Sequence, residues 1–329
     1  MILAYVISYV IVFLMFFIGV FTTMVVFVHT QPTINMMTNN IRYEELPLVK
    51  FYPDIIVPAI HRGFDGNIAL MCCQLVSNLY FSKSENKALK LHATYSFEGT
   101  DPVGTETELI DTFGSIHSVG GVVLVMFRGS KPAVNEWLVN MKYQQISSDD
   151  ATGIILPSMM NRTKDIWGDE SFKINHRDSR IMLHSGWATL AGKLTSSISK
   201  QIEKLISSNP NAPVVLGGHS MGGCVTLILA AELATLFPSV QFVLYTFACP
   251  RVGNYAFVDY VNSLENLTVH RISNASDIFC EAIPAVAPNY TDPDKPFFYN
   301  QCGKLYSFEK NSLSVRMNHT IVTYSEHFE

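Results

Sequence analysis

A serine in a glycine-rich turn is the residue of this sequence whose surroundings point most directly to chemistry. Ser220 stands between Gly218 and Gly222 in a Gly-His-Ser-Met-Gly run, after β-forming residues and before an Ala- and Leu-rich run typical of a buried helix. The glycines let strand and helix approach closely, and the turn exposes the hydroxyl. The amide of Met221 would then face a tetrahedral oxyanion. This pattern favours a nucleophile elbow over a turn that contains a serine by chance.

A nucleophilic serine needs a general base, and three histidines follow Ser220 in the chain. His270 falls inside a predicted strand at 267–272, where the sheet would hold its ring. His327 lies close to the terminus, where a fraying backbone makes a poor base. His319 is therefore the predicted base.

The base in turn needs an acid to orient it, and hydrolases with a nucleophile elbow have the order serine, acid, histidine. Asp277 comes directly after the predicted strand at 267–272, at the edge of the sheet where α/β proteins keep their active sites. Asp259 falls within a predicted helix, and Asp292 and Asp294 fall in a solvated, proline-containing loop. Asp277 is the predicted acid, although taken alone it is equally typical of a turn or cap.

The hydrophobic pattern predicts the elements that must position these residues. They are, in chain order, a helix at 69–79, a hairpin of strands at 106–116 and 122–127, a helix at 188–207, the elbow, a strand at 240–247, a helix at 254–264 and a strand at 267–272. Strands that alternate with helices indicate an α/β fold with a mostly parallel central sheet flanked by helices.

Six short motifs follow one another along the chain. Beside the elbow they are Phe-Arg-Gly-Ser at 127–130 with Asn-Glu-Trp at 135–137, His-Ser-Gly-Trp at 184–187, Phe-Ala-Cys-Pro-Arg-Val-Gly-Asn at 247–254, Asn-x-x-Asp at 274–277 and His-x-x-x-x-Tyr at 319–324. In this order they resemble the class 3, fungal-type lipase family of α/β-hydrolases, from about residue 52 to the end. The resemblance implies an α/β-hydrolase fold and hydrolysis of lipid esters by Ser220, Asp277 and His319.

The same resemblance implies further roles and shows two departures. It makes Ser130 the second oxyanion donor beside Met221, and it places a lid in the residues that follow. Ala248 stands where the family usually has glycine, and Glu136 precedes the tryptophan where the family usually has Asp or Asn. The expected substrate is triacylglycerol or partial glycerides, and the sn-1 chain of phospholipids is the second choice. A membrane-anchored lipid-binding protein on a retired hydrolase fold is the alternative from another class.

Residues 131–139 are predicted to form a small amphipathic lid. On a short helix that begins after Pro132, the side chains of Val134, Trp137 and Leu138 share one face. In water this face would lie down over an apolar acyl pocket, and at an interface it would turn to lipid. The alternative is an ordinary surface helix with Trp137 packed permanently into the body.

The N-terminal stretch indicates where in the cell the protein is located. No charged side chain occurs from Ile2 to Val28, and a helix of that length would cross a hydrocarbon layer of ~30 Å. We expect a transmembrane anchor at 1–29, a tether at 30–51 and the hydrolase domain at 52–329. The chain would then be a single-pass membrane protein with a lumenal or extracellular hydrolase domain. A secretory signal peptide fits less well, because its apolar region is only about 7–15 residues long.

Charge and cysteine usage limit the remaining partners and modifications. A net charge of −5 without a basic cluster argues against nucleic acid, and we expect neither a metal nor a cofactor. The expected partners are a lipid ester and, through the N-terminal helix, a membrane. Cys280 and Cys302 flank a proline-rich loop and are the best candidates for a disulfide. Sequons begin at Asn274 and Asn318, but both overlap the predicted triad, so we expect them to be unglycosylated.

Overall fold

An eight-stranded sheet organises the protein. The computed structural model describes residues 63–81, 90–97, 102–104, 112–131, 133–158, 180–312 and 314–329. The strands are, in chain order, β1 (Lys90–Ser96), β2 (Pro102–Gly104), β3 (Thr112–Val119), β4 (Val122–Phe127), β5 (Gln145–Ser147), β6 (Met182–His184), β7 (Val214–His219), β8 (Phe242–Phe247), β9 (Leu267–Asn274), β10 (Val286–Ala287), β11 (Phe297–Phe298) and β12 (Lys304–Phe308). The order across the main sheet is β12-β9-β8-β7-β4-β3-β1-β2, and two small sheets pair β5 with β6 and β10 with β11.

Seven α-helices and one 3₁₀ helix are described beside the strands. They are α1 (Gly66–Phe81), α2 (Val134–Met141), α3 (Ser185–Ser208), α4 (Met221–Leu236), α5 (Tyr255–Ser263), α6 (Val315–His319) and α7 (Ile321–Ser325), with the 3₁₀ helix at Ile278–Glu281 between β9 and β10.

The centre of the sheet is parallel and buried. β4, β7, β8, β9 and β12 pair in parallel, whereas β1, β2 and β3 add an antiparallel edge. Every residue of β4, β7 and β8 is buried, as expected for strands covered on both faces. The predicted hairpin is present, with β3 and β4 joined by a turn at Gly120 and Gly121. β3 extends to Val119, and residues 106–111 of the predicted first strand lie outside the described residues.

Helices cover the two faces of the sheet, as the sequence predicts. Val214 and Leu216 of β7 belong to the cluster that contains α3 and α4, whereas Val215 points to the opposite cluster, around α1. The predicted stripe of α3 is buried at Leu190, Leu194, Ile198 and Ile202. The carboxyl ends of β7, β8 and β9 therefore open at one edge of the sheet, where the predicted site residues follow.

The expected disulfide and the expected transmembrane helix are not found in the described residues. Cys280 and Cys302 are both free and buried rather than bridged, and burial raises the pKa of each thiol to about 12, which keeps it protonated. In the described part of the chain, no helix has both the length and the apolar character needed to cross a membrane. The N-terminal transmembrane helix of the predicted fold is therefore not observed, and the segments 1–29 and 30–51 lie outside the described residues.

Candidate active site

The turn at Ser220 has the geometry of a nucleophile elbow. Ser220 connects β7 directly to α4 with φ 54° and ψ −126°, a left-handed conformation that costs about 1–3 kcal/mol for a residue with a side chain. The Ser220 N–H donates to the Phe247 carbonyl at 2.8 Å, which anchors the turn on the neighbouring strand. A Cβ atom added to Gly222 would lie 2.2 Å from the Arg128 carbonyl oxygen. The glycine is therefore required by close packing against the end of β4.

Ser220, His319 and Asp277 form one row of hydrogen bonds. His319 Nε2 lies 2.8 Å from Ser220 Oγ, and His319 Nδ1 lies 2.8 Å from Asp277 Oδ2. The Asp277 side chain is fully buried, while His319 and Ser220 are half-buried at the open edge of the sheet. Asp277 lies in the loop after β9, His319 is the last residue of α6, and Ser220 is the elbow residue.

The surroundings of Asp277 keep its carboxylate ionised. Burial by itself would raise the pKa of Asp277, but the hydrogen bond and the charge of His319 lower it. Two more donors act in the same direction: Tyr324 Oη donates to Oδ2 at 2.8 Å, and the Phe279 N–H donates to Oδ1 at 2.9 Å. These interactions outweigh burial, so the pKa of Asp277 lies below its ordinary value. An ionised Asp277 accepts a hydrogen bond from the Nδ1–H of His319 and leaves Nε2 as an acceptor for the serine hydroxyl.

Two buried asparagines join the segments that carry the acid and the base. Asn274 Nδ2 donates to the Asn318 carbonyl at 3.2 Å, and Asn318 Nδ2 donates to the Ser276 carbonyl at 3.2 Å. In the sequence Asn318 stands out only as a glycosylation motif, whereas Asn274 also opens the Asn-x-x-Asp motif. Their engaged, buried amides are consistent with the expectation that they carry no glycan.

Ser130 and Met221, the predicted oxyanion donors, lie next to each other beside the serine. Ser130 Oγ is 3.4 Å from Met221 Sδ, and Met221 begins α4, where backbone N–H groups have no acceptor within the helix. Asn140 Nδ2 donates to Ser130 Oγ at 2.8 Å, and Asn140 Oδ1 accepts from Trp187 Nε1 at 2.9 Å. Sequence reasoning missed Asn140, because nothing in the spacing from 130 to 140 shows that the end of α2 returns to the site.

The predicted lid helix exists as α2, but it faces the other way. Val134 and Leu138 are 60% and 52% exposed, and Trp137 is half-buried. The buried side chain on this helix is Glu136, which pairs with Arg128 and also accepts from the Lys131 N–H at 2.6 Å. The ion pair turns the polar side of α2 inward, so the apolar side faces outward instead of lying down over a pocket.

The two histidines that were set aside lie away from Ser220. His270 is buried in β9, packed between the rings of Phe64, Tyr245 and Tyr306, with neither ring nitrogen hydrogen-bonded. His327 is exposed, and its ring stacks on Phe308 at 4.1 Å. Within the described residues, no group of three or more His, Cys, Asp or Glu side chains is arranged to hold a metal ion.

Comparisons with known proteins identify the family of the chain. The family described as Lipase (class 3) matches residues 124–287. A secreted mono- and diacylglycerol lipase 1 of Fusarium solani is 30% identical over 53% of this chain and 43% of its own length. A secreted mono- and diacylglycerol lipase A of Penicillium cyclopium is 24% identical over 53% of this chain and 47% of its own length. The chain thus matches about half the length of these curated relatives.

A solved structure is similar in fold. The lipase of Rhizomucor miehei, in its native propeptide complex, has a TM-score of 0.53 and 20% identity over 75% of this chain and 69% of that chain. At this identity the likeness shows the fold alone.

These relatives also correct the expected location. The prediction of a single-pass membrane protein is wrong, because the described residues contain no helix able to span a bilayer and the two curated relatives are named as secreted lipases. The stretch Ile2–Val28, on which that prediction rested, lies outside the described residues. Fold, ordered motifs and family match lead to one conclusion: the chain belongs to the class 3, fungal-type lipase family of the α/β-hydrolase superfamily.

Proposed function

We propose that the protein is a serine hydrolase that cleaves the carboxylic ester bonds of lipids, with triacylglycerol or partial glycerides as its substrates. We assign this activity to the domain at residues 52–329. The observation that carries the proposal is the row of hydrogen bonds from Ser220 through His319 to Asp277. The names of the Fusarium and Penicillium relatives, mono- and diacylglycerol lipases, support the substrate class.

In the proposed acylation step, Ser220 Oγ attacks the ester carbonyl carbon while His319 Nε2 removes the hydroxyl proton. The carbonyl oxygen becomes an oxyanion, stabilised by the Met221 N–H and by Ser130. When the tetrahedral intermediate collapses, the bond to the alcohol oxygen breaks and His319 returns the proton to that oxygen. The products are a free alcohol and an acyl ester on Ser220.

Deacylation follows the same steps as acylation, with water as the nucleophile. His319 takes a proton from water, the resulting hydroxide adds to the acyl carbon, and collapse releases the fatty acid and returns the proton to Ser220 Oγ. Asp277 holds the ring of His319 in one tautomer throughout and stabilises the positive charge that forms on it. Tyr324 and the Phe279 N–H keep Asp277 ionised for this task.

Helix α2 supplies the contact with lipid in this proposal. Val134 and Leu138, with Met141 one further turn along, expose one apolar stripe beside Ser130. This is the orientation in which a lid would meet the surface of a lipid droplet or emulsion. Asn140, on the inner side of the same helix, holds the Ser130 hydroxyl by donating a hydrogen bond to it.

A fluorophosphonate probe combined with a panel of lipid esters tests the proposal. We expect the probe to label the purified protein, Ser220→Ala to lose both labelling and hydrolysis, and Ser199→Ala, on the outer part of α3, to keep both. Absence of both labelling and hydrolysis would indicate the alternative, a retired lipid-binding fold, and labelling without hydrolysis of any lipid ester would leave a serine hydrolase but remove the lipid substrate class. Release of fatty acid from phospholipids alone would replace the glyceride assignment with a phospholipase A1-type activity.

A further inference from the structure

His219, the residue before the proposed nucleophile, has both ring nitrogens occupied. Nδ1 lies 2.8 Å from Tyr80 Oη, and Nε2 lies 2.7 Å from the backbone carbonyl oxygen of His319. A carbonyl oxygen can only accept, so His219 Nε2 carries a proton and donates it. Nδ1 of a neutral ring then has a lone pair that accepts from the Tyr80 hydroxyl. One tautomer therefore satisfies both contacts.

The site of His219 favours this neutral form. Burial and, to a smaller extent, the neighbouring His319 lower the pKa of His219 to about 3. The ring is 3% exposed at the end of β7, and its centroid lies 4.9 Å from that of His319. A charged ring there would carry a proton on Nδ1 as well, and the Tyr80 hydroxyl would have to accept from Nδ1 instead of donating to it.

Tyr80 extends the hydrogen bonds to the loop that carries Ser130. The backbone of Gly129 hydrogen-bonds the Tyr80 hydroxyl, and a Cβ atom on Gly129 would lie only 2.4 Å from Tyr80 Oη. The contacts thus run from Gly129 through Tyr80 and His219 to the His319 carbonyl. They connect the oxyanion loop, the end of α1, the elbow and the segment of the base.

The backbone of His319 needs such support. His319 is the last residue of α6, a helix of only five residues, and carbonyl groups at the end of a helix have no partner within it. The neighbouring contacts hold other atoms: Asp277 holds the ring, and Asn274 holds the preceding carbonyl, that of Asn318. A displacement of ~1 Å at a reacting group can cost about a hundred-fold in rate.

We infer that Tyr80 and His219 are positioning residues, which hold the His319 backbone where its ring reaches Ser220 and keep the Gly129–Ser130 loop in register with it. This inference rests on the proposed hydrolase function. In this role neither residue contacts the substrate. Their effect should therefore fall on kcat, with little change in KM.

Tyr80→Phe is the principal test, and Tyr245→Phe is the matched control. Tyr245 also uses its hydroxyl to hold α1, by accepting from the Asp65 N–H at 3.2 Å, but it lies in the middle of β8. We expect Tyr80→Phe to lower kcat on a dissolved short-chain ester about ten-fold or more with KM within about two-fold, and Tyr245→Phe to leave both unchanged. Equal kcat in the parent and Tyr80→Phe would overturn the inference.

A pair of substitutions at His219 tests the donor itself. His219→Gln keeps an N–H donor near the position of Nε2, whereas His219→Leu keeps only apolar bulk. Retention of clearly more kcat in the glutamine variant supports the positioning role, and equal loss in both contradicts it. If the leucine variant does not fold, the kinetics of Tyr80→Phe and the nitrogen-15 NMR spectrum of the histidine rings test the positioning role instead.

Nitrogen-15 NMR of the histidine rings gives a readout without hydrolysis. We expect His219 in the parent to stay neutral with its proton on Nε2 from pH 5 to 8, and Tyr80→Phe to shift the Nδ1 resonance. A His219 ring that titrates in this range, or carries its proton on Nδ1, would overturn the inference. A parent protein that gives the expected spectrum but hydrolyses no ester would instead remove the proposed function.

Discussion

Arg128 and Glu136 form a bidentate ion pair inside the protein, with Nη1 to Oε2 and Nη2 to Oε1 both at 2.9 Å. Their side chains are only 1% and 6% exposed. Arg128 follows β4 and also donates to the Thr112 and Gly129 carbonyls, while Glu136 lies in the first turn of α2. The pair therefore fixes the helix to the sheet edge beside the site and decides which side of the helix faces solvent.

Removal of one partner should be costly. Glu136→Ala leaves the Arg128 charge buried without a counter-ion, and we expect a loss of about 3–5 kcal/mol in the free energy of unfolding. Urea titration of the variant and of Glu265→Ala, an exposed glutamate, measures it. A loss as small as that of the control would mean that Arg128 finds another partner or water.

The exposed stripe of α2 should matter at interfaces only. Serine at both Val134 and Leu138 should lower the rate on emulsified triacylglycerol by about ten-fold or more, since each buried aliphatic side chain contributes about 1.5–3 kcal/mol. Hydrolysis of a dissolved short ester should change little. Leu305→Ser, on exposed β12, is the control. Equal losses on both substrates would contradict a lipid-facing lid.

The two candidate bases should differ sharply. His319→Ala removes the proposed proton acceptor of Ser220 and should lower kcat by several orders of magnitude. His327→Ala removes a ring that stacks on Phe308 and should leave hydrolysis nearly unchanged. The measurement is the rate of ester hydrolysis by both purified variants. An active His319 variant together with an inactive His327 variant would refute the assigned triad.

Ala248 should be a site where glycine stabilises. Its φ is 54°, a left-handed conformation that costs about 1–2 kcal/mol with a Cβ atom, and it stands where the family usually has glycine. We expect Ala248→Gly to raise the free energy of unfolding by about 0.5–1 kcal/mol after the entropy cost of glycine. Ala230→Gly, inside α4, should lower it. The same sign in both variants, measured by urea titration, would count against the strain at Ala248.

Glu232 should make stability fall as pH rises. Burial on α4 raises its pKa from 4.5 to about 7. The Thr195 hydroxyl contacts Oε2, and the Ile155 N–H donates to Oε1 at 2.8 Å. Both hydrogen bonds lower the pKa of Glu232, but burial outweighs them. The native state therefore holds a proton that the unfolded chain releases above its ordinary pKa.

The contribution of Glu232 is full below the unfolded pKa near 4.5 and is lost as pH rises through about 7. Its size is on the order of 3 kcal/mol. Urea midpoints between pH 4.5 and 8 should fall less in Glu232→Gln than in the parent, whereas Glu203→Gln, exposed on α3, should follow the parent. Parallel pH profiles for Glu232→Gln and the parent would show that the carboxyl group is already ionised in the native state.

The sequence by itself determined the framework of the fold and the identity of the candidate triad. Alternating apolar runs predict strands and helices because their periods differ, and the carboxyl ends of neighbouring parallel strands meet at one edge. For that reason Asp277, which directly follows β9, could be paired with an elbow serine 57 residues earlier without knowledge of any contact. The same logic set aside His270, whose ring lies in the middle of a buried strand.

The tertiary structure alone decided the orientation of α2, the partners of the triad and the state of the cysteines. An apolar stripe on a helix has the same spacing whether it is buried or exposed, and only the contact between Arg128 and Glu136 settles the question for Val134 and Leu138. Asn140 and Tyr80 reach the site through packing between elements distant in sequence. Cys280 and Cys302 flank one loop, but a disulfide depends on the distance and direction of two Cβ atoms, which no sequence spacing determines.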